Sequence, residues 1–351
     1  MDKNKKKLTV LFDSPPPYGG VRVSANITYT LLHQKDEFCV ESCPFVSSRE
    51  NLLSNLYGFY QKTRRSDGVI FQIGNIFSLF QKRALLYLII ARISCKPLAY
   101  RGFAGGLSRQ YDLLNPIKKL LLRKLLANFK LITFQTKKDF DFFSNVICKR
   151  NCKITWFPNT RECSSVNLPS REKAVKFCFI GKISKEKGVD LIIEISSELP
   201  ENVTVDLFGP ITPEYDGILG SENGYFAPKV RYSGTIKPEL VARKIKDYDA
   251  LLLPTTWKTE GHPGVILEAL SVGVPVIATR WNGIPEVIDE SCGILIEPNS
   301  KDDLLNAIKV INHDSRKWQE FRLGAISRTR DFDAGIWHER LTKCLEQMVN
   351  N

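Results

Sequence analysis

The chain has 351 residues, 43% hydrophobic and 25% charged, enough for about two domains of ~150 residues, each with its own core. Its formal net charge is +12, but the excess is one-sided: residues 1–165 carry 27 Lys and Arg against 11 Asp and Glu (+16), and residues 166–351 carry 23 against 27 (−4). No stretch reaches the ~18 apolar residues of a membrane span, the amino terminus has too short an apolar run for a secretory signal, and the nine cysteines form no C-x-x-C pair. The expectation is a cytoplasmic chain with reduced thiols and no metal site.

In the first half, short apolar runs alternate with helical patterns, which implies parallel strands joined by crossover helices. The candidate strands are 8–12, 38–42, 68–73, 97–101, 130–135 and 153–157. After the first comes the loop SPPPYGGVRVSANI, whose Gly19 and Gly20 precede a helix running to about Leu32. A glycine turn at the carboxyl end of a first strand lies where open α/β sheets bind ligands. It lacks the G-x-G-x-x-G spacing of a dinucleotide site. The fourth strand ends in YRGFAGG, with Arg101 at the start of the loop.

The segment NPIKKLLLRKLLANFK (115–130) reads as a basic amphipathic helix, with Ile117, Leu120, Leu121, Leu125 and Phe129 on one face and Lys118, Lys119, Arg123 and Lys124 elsewhere. Such helices pack on a core or lie on anionic membrane surfaces. Nucleic acid is not expected as a partner, because no helix-turn-helix, RNP or zinc pattern accompanies the charge.

Residues 157–172 lose periodicity and gain Pro, Ser and Asn, which places a hinge there. It divides a first domain, 1–160, from a second, 161–333. The second half again alternates strands, at 175–181, 203–209, 229–234, 250–254, 275–279 and 293–297, with helical stretches. Lys182 and Lys187 follow the first of these strands, five residues apart, where two cations can converge on a diphosphate. Gly209 ends the next strand. In LLLPTTWKTEGHPGVILE (251–268) a buried strand runs through a loop into a helix starting near His262, with Pro263 suited to the first helical position. The unpaired N–H groups of Gly264, Val265 and Ile266 and the positive helix end suit an anion, and Gly261 and Gly264 allow close approach. Glu260 and Glu268 flank that start and can accept hydrogen bonds from sugar hydroxyls. His262 either donates to a phosphate or caps the helix, and capping is the favoured reading.

The spacing of Glu260 and Glu268 resembles the E-x7-E signature of the retaining nucleotide-sugar glycosyltransferases of family four, which have the GT-B fold. The resemblance extends over FIGKISKEKGVDLIIE, LFGP, YSGTI, EGHPGVILEALSVGVPVIATRWNGIPEVI and CGILIEPNSKDDLLNAI, in that order. It implies an α/β architecture of two Rossmann-like domains with parallel sheets facing across a cleft, and a last helix (334–351) packing back on the first domain. It implies a nucleotide-diphosphate sugar as donor, a UDP-sugar being favoured, with no separate cofactor. Lys182 stands where the family usually has Arg, which keeps charge but loses the bidentate fork. Asn282 replaces the first glycine of the family's G-G-x-P-E turn, and Pro285 and Glu286 are expected to open a helix beside the nucleotide.

By the same resemblance, Gly19 and Gly20 lie beside the diphosphate, Gly209 lines the base site, Glu260 orients the sugar and Glu268 accepts from the ribose. Lys182, Lys187 and the helix amino terminus stabilise the leaving phosphate, and attack occurs on the front face. Many relatives carry a histidine near the loop after the fourth strand. Here Arg101 stands in that region and is a candidate for contact with the reacting sugar or phosphate. The expected acceptor is a glycan or a lipid-linked glycan, as in surface polysaccharide assembly, with attachment at the inner face of the cell membrane as an accompanying expectation. A GT-B nucleotide-sugar epimerase and a silent partner subunit are the competing readings.

Overall fold

The computed structural model describes residues 5–13, 19–34, 37–45, 51–147, 151–163, 172–215 and 225–350. Cys148, the loop residues 14–18 and part of the expected hinge, 164–171, lie outside them. The chain divides into two compact units, one formed by residues 1–159 with 335–351 and the other by 160–334.

The first unit holds β1 (Lys7–Phe12), α1 (Gly20–Gln34), β2 (Cys39–Pro44), α2 (Leu52–Arg65), β3 (Gly68–Gln72), α3 (Lys82–Ile93), β4 (Leu98–Arg101), α4 (Leu107–Asp112), α5 (Pro116–Leu126), β5 (Leu131–Phe134), α6 (Lys137–Val146) and β6 (Lys153–Trp156). The strands form a parallel sheet in the order β2-β1-β3-β4-β5-β6. Strands covered on both faces must be apolar nearly throughout, and GVIFQ in β3 and LITF in β5 are buried at every position. Each face has its own core. Phe59, Tyr87, Leu122 and Phe143 bring α2, α3, α5 and α6 onto one cluster; Ala25 and Leu32 of α1 share the other with Leu8 and Val10.

The second unit holds β7 (Lys176–Ile180), α7 (Val189–Glu194), β8 (Thr204–Phe208), β9 (Tyr225–Ala227), β10 (Val230–Tyr232), α8 (Val241–Ile245), β11 (Ala250–Leu253), α9 (Gly264–Ser271), β12 (Val276–Thr279), β13 (Gly293–Ile296), α10 (Lys301–His313) and α11 (Ser315–Thr329). Its sheet runs β13-β12-β11-β7-β8-β10-β9, parallel except for β9, which pairs antiparallel with β10 at the edge. That strand of three residues carries no periodic signal and was not anticipated. Side-chain caps start several helices: Asn115 accepts from Lys118 N–H ahead of α5, Thr136 from Asp139 N–H ahead of α6, and Ser300 from Asp303 N–H ahead of α10, each worth about 1 kcal/mol.

The last helix, α12 (Ala334–Asn350), places Trp337, Leu341, Leu345 and Met348 in the cluster of Leu8 and Val10. The Trp337 ring meets Trp156 edge-on at 4.8 Å.

The helix expected over 115–130 is α5 alone, and its buried face differs from the expected one. Leu122 and Leu126 are its buried residues, whereas Ile117, Leu120 and Leu121 are exposed. Leucine recurs so often in LLLRKLL that two apolar stripes fit the helical period, and only packing decides between them.

Candidate functional site

In the second sheet the chain passes from β7 to β8 on one side and later returns to place β11 on the other. The loops after β7 and β11 therefore flank a topological switch point at the carboxyl edge, where open α/β sheets bind ligands. The loop after β7 forms a single 3₁₀ turn, Lys185–Lys187. It ends at Gly188, whose φ is +78°; a Cβ there would stand 2.1 Å from the Pro254 carbonyl oxygen. Only glycine lets the turn approach the end of β11 so closely. Two contacts fasten the loops together: Thr256 N–H donates to the Glu186 carbonyl at 2.8 Å, and the Thr255 hydroxyl lies 3.2 Å from that same oxygen.

This approach brings Lys187 to Glu260. The ammonium is hydrogen-bonded to Glu260 Oε2, and the same oxygen accepts from the Thr255 hydroxyl at 3.1 Å. Glu260 is buried, and an unpaired buried carboxylate would be costly; the lysine and the hydroxyl offset that cost. Lys182 is exposed. Its charge helps to hold the Glu186 carboxyl below its usual range, after the larger effect of a hydrogen bond from the Glu186 backbone. The two lysines thus have different surroundings: one is paired with Glu260 and the other stands in solvent.

Pro263 is not the first helical residue. It is the N-cap, with ψ 127°, and α9 begins at Gly264. Ile266 N–H is already bonded to the Pro263 carbonyl at 3.2 Å. Among the described residues, the N–H groups of Gly264 and Val265 find no acceptor, so two donors remain of the expected three. Neither does His262 cap the helix. Its Nε2 lies 3.0 Å from Glu286 Oε2, and its ring meets Phe332 edge-on at 5.7 Å. Glu286 closes a single 3₁₀ turn, Ile284–Glu286, instead of opening a helix. Asn282 occupies a left-handed position, φ +44°, which asparagine tolerates in place of glycine. Its side chain donates to the Lys258 carbonyl at 3.1 Å and so ties the loop after β12 to the one carrying Glu260. Gly261 is buried in that loop.

Glu268 lies in the second turn of α9 and accepts from Arg161 Nε at 3.0 Å and Nη2 at 2.9 Å, both on Oε1. Arg161 was not anticipated, because it lies in the aperiodic segment read as a hinge. Gly209 follows β8 with φ +137°, and a Cβ there would stand 1.8 Å from the Gly181 carbonyl oxygen. This glycine is required by the close packing of two strand ends.

Two expectations concern the first unit. Gly20 starts α1 after β1, with Gly19 just before it, and among the described residues a Cβ on either would meet nothing within 4 Å. The structure places Arg101 inside the first unit. It is 2% exposed, donates to the Thr28 hydroxyl at 3.1 Å and lies over the rings of Phe157 and Phe103, 4.0 and 4.6 Å from their centroids. Burial lowers its pKa to about 9. The guanidinium thus packs within its own unit.

Residues 174–314 match the family model described as glycosyl transferases group 1. Sulfoquinovosyl transferase SQD2 of Arabidopsis thaliana is 26% identical over 169 residues, covering 47% of this chain and 31% of the relative. The amylovoran biosynthesis glycosyltransferase AmsK of Erwinia amylovora is 24% identical over 202 residues, covering 54% of this chain and 49% of the relative. These alignments thus span half or less of the curated relatives' own length. The crystal structure of Alr3699/HepE from Anabaena in complex with UDP superposes with a TM-score of 0.72 at 19% identity, over 97% of this chain and all of the other. The chain therefore has the GT-B fold, and its residues 174–314 are similar to the glycosyl transferases group 1.

Proposed function

We propose that the protein is a retaining glycosyltransferase that moves a sugar from a UDP-sugar to a glycan or lipid-linked glycan, in the assembly of a surface polysaccharide. The observation that carries this reading is the meeting of Lys187, Glu260 and the amino terminus of α9 at the switch point of the second sheet. Cation, backbone donors and carboxylate suit the parts of a nucleotide-diphosphate sugar in turn. Lys187 and the N–H groups of Gly264 and Val265 hold the diphosphate, with Lys182 adding charge from solvent. Glu260 accepts from the sugar hydroxyls and Glu268 from the ribose.

The bond from the anomeric carbon to the diphosphate oxygen breaks as the acceptor hydroxyl attacks from the same face, and the departing oxygen takes the acceptor's proton. Negative charge grows on the diphosphate, so fixed donors and cations aimed at it lower the barrier. The likeness to AmsK, a glycosyltransferase of amylovoran biosynthesis, and to the Anabaena protein in complex with UDP supports a glycan product and a UDP donor. A lipid-carried acceptor would bring the reaction to the cytoplasmic face of a membrane.

The test is calorimetric titration with UDP, GDP and ADP, followed by assays with the matching donors. UDP should bind best, Glu268→Ala should lose at least tenfold in affinity, about 1.4 kcal/mol, and the product should keep the donor's anomeric configuration by NMR. Conversion of the donor sugar without acceptor would identify an epimerase instead, and absence of nucleotide binding would end the enzymatic reading.

A further inference from the structure

The loop that delivers Glu260 ends in a tight turn, Trp257 to Glu260, closed by Glu260 N–H donating to the Trp257 carbonyl at 3.0 Å. Every polar group of Trp257 is engaged. Its backbone N–H donates to the Thr255 hydroxyl at 3.2 Å, its carbonyl also accepts from Trp281 Nε1 at 2.8 Å, and its indole N–H donates to the Thr259 hydroxyl at 2.9 Å. The Thr255 hydroxyl is the one that donates to Glu260 Oε2. Backbone and ring of Trp257 are thereby fixed relative to the carboxylate.

The two tryptophans of this region differ in their surroundings. Trp281 packs against the core of the second unit, whereas Trp257 is 38% exposed. With its N–H already bonded, the part of the indole left to solvent is apolar, and covering it with a ligand of matching shape is favourable. The ring also borders the charged pair: Lys187 Nζ stands 5.8 Å from its centroid and is hydrogen-bonded to Glu260 Oε2. An aromatic surface, an ammonium and a carboxylate thus lie side by side.

That combination selects among the parts of a nucleotide sugar. A pyranose carries hydroxyl donors around its rim and C–H groups on its faces, so a carboxylate beside an aromatic ring suits both. A uracil presents two carbonyl oxygens and a single N–H, and a carboxylate at its edge would repel those oxygens. We infer that the exposed indole of Trp257 is the platform on which the pyranose ring of the donor stacks, while Glu260 accepts from hydroxyls at its rim. The inference rests on the nucleotide-sugar reading of this site and adds the residue that grips the apolar face of the sugar.

Calorimetry with UDP-glucose, UDP-galactose and UDP-N-acetylglucosamine identifies the donor that the parent protein binds best, and the variants are compared on that donor and on UDP. Trp257→Ala should raise the Kd of the donor about fivefold or more while leaving that of UDP within about twofold. Trp257→Phe, which keeps a ring and drops the N–H, should stay nearer the parent protein. Should Trp257→Ala melt early, Trp257→Leu, apolar but not aromatic, takes its place in the comparison. An unchanged donor Kd, or equal losses for donor and UDP, overturns the platform and leaves the nucleotide site standing. A parent protein that binds UDP but none of the three donors does the same. One that binds neither UDP nor any donor overturns the nucleotide-sugar reading, and the platform with it.

Discussion

Arg161 sets both Nε and Nη2 on one carboxylate oxygen of Glu268, at 3.0 and 2.9 Å. The arginine is held by its backbone as well: its N–H donates to the Phe332 carbonyl at 3.1 Å, and its own carbonyl accepts from Ala334 N–H at 2.9 Å. A fixed guanidinium therefore orients the carboxylate through Oε1. This gives Arg161 a positioning role for the residue proposed to accept from the ribose.

Arg161→Ala should raise the Kd for UDP about five- to tenfold, the order of a lost charge-assisted contact. Arg161→Lys should recover only part of this, since lysine keeps the charge without the planar fork. Calorimetry with UDP decides, and an affinity equal to the parent's would detach Arg161 from the site.

Lys187 and Glu260 form an ion pair. In the proposed reaction, a diphosphate that draws on Lys187 would compete with Glu260 and free the carboxylate for the sugar. Glu260→Gln should accordingly leave UDP affinity unchanged or tighter while lowering kcat about a hundredfold. The comparison needs UDP titration alongside turnover of the donor, and an unaltered kcat would remove Glu260 from the chemistry.

Gly188→Ala tests the approach that brings the pair together. The substitution puts a side chain at φ +78° and a Cβ 2.1 Å from a backbone oxygen, so about 2 kcal/mol or more of stability should be lost. Thermal unfolding should show a Tm lower by several degrees, with UDP binding weakened as Lys187 shifts. A melting curve superimposable on the parent's would contradict this packing.

Arg101→Met separates a core role from a catalytic one. Loss of the Thr28 hydrogen bond and of the stacking on Phe103 and Phe157 should destabilise the protein by about 2–3 kcal/mol. The Kd for UDP should not change. Denaturant unfolding supplies the first value and calorimetry the second; a stable variant with impaired turnover would support the catalytic assignment.

Short-range pattern was enough to read most strands in the sequence. A parallel strand covered on both faces must be apolar throughout, so ALLL in β11 and VIAT in β12 stand out without further context. Loop chemistry was legible for the same local reason: Glu260, the glycines and Pro263 precede an apolar helical run, and that order alone places a helix amino terminus beside a carboxylate. β9 escaped because three residues cannot establish a period. His262 was misread because its partner, Glu286, is reached only when the loops after β11 and β12 fold together.

The amino-acid sequence by itself determined where strands end and helices begin, because capping, φ preference and hydrophobic period act over a few residues. Tertiary structure alone decided which charges meet. Lys187 and Glu260 are 73 positions apart and Arg161 and Glu268 are 107 apart, and no local rule couples such distant residues. It also decided which stripe of α5 faces the core and that Arg101 is enclosed by aromatic rings. Both outcomes follow from the volume available between packed elements, which periodicity does not encode.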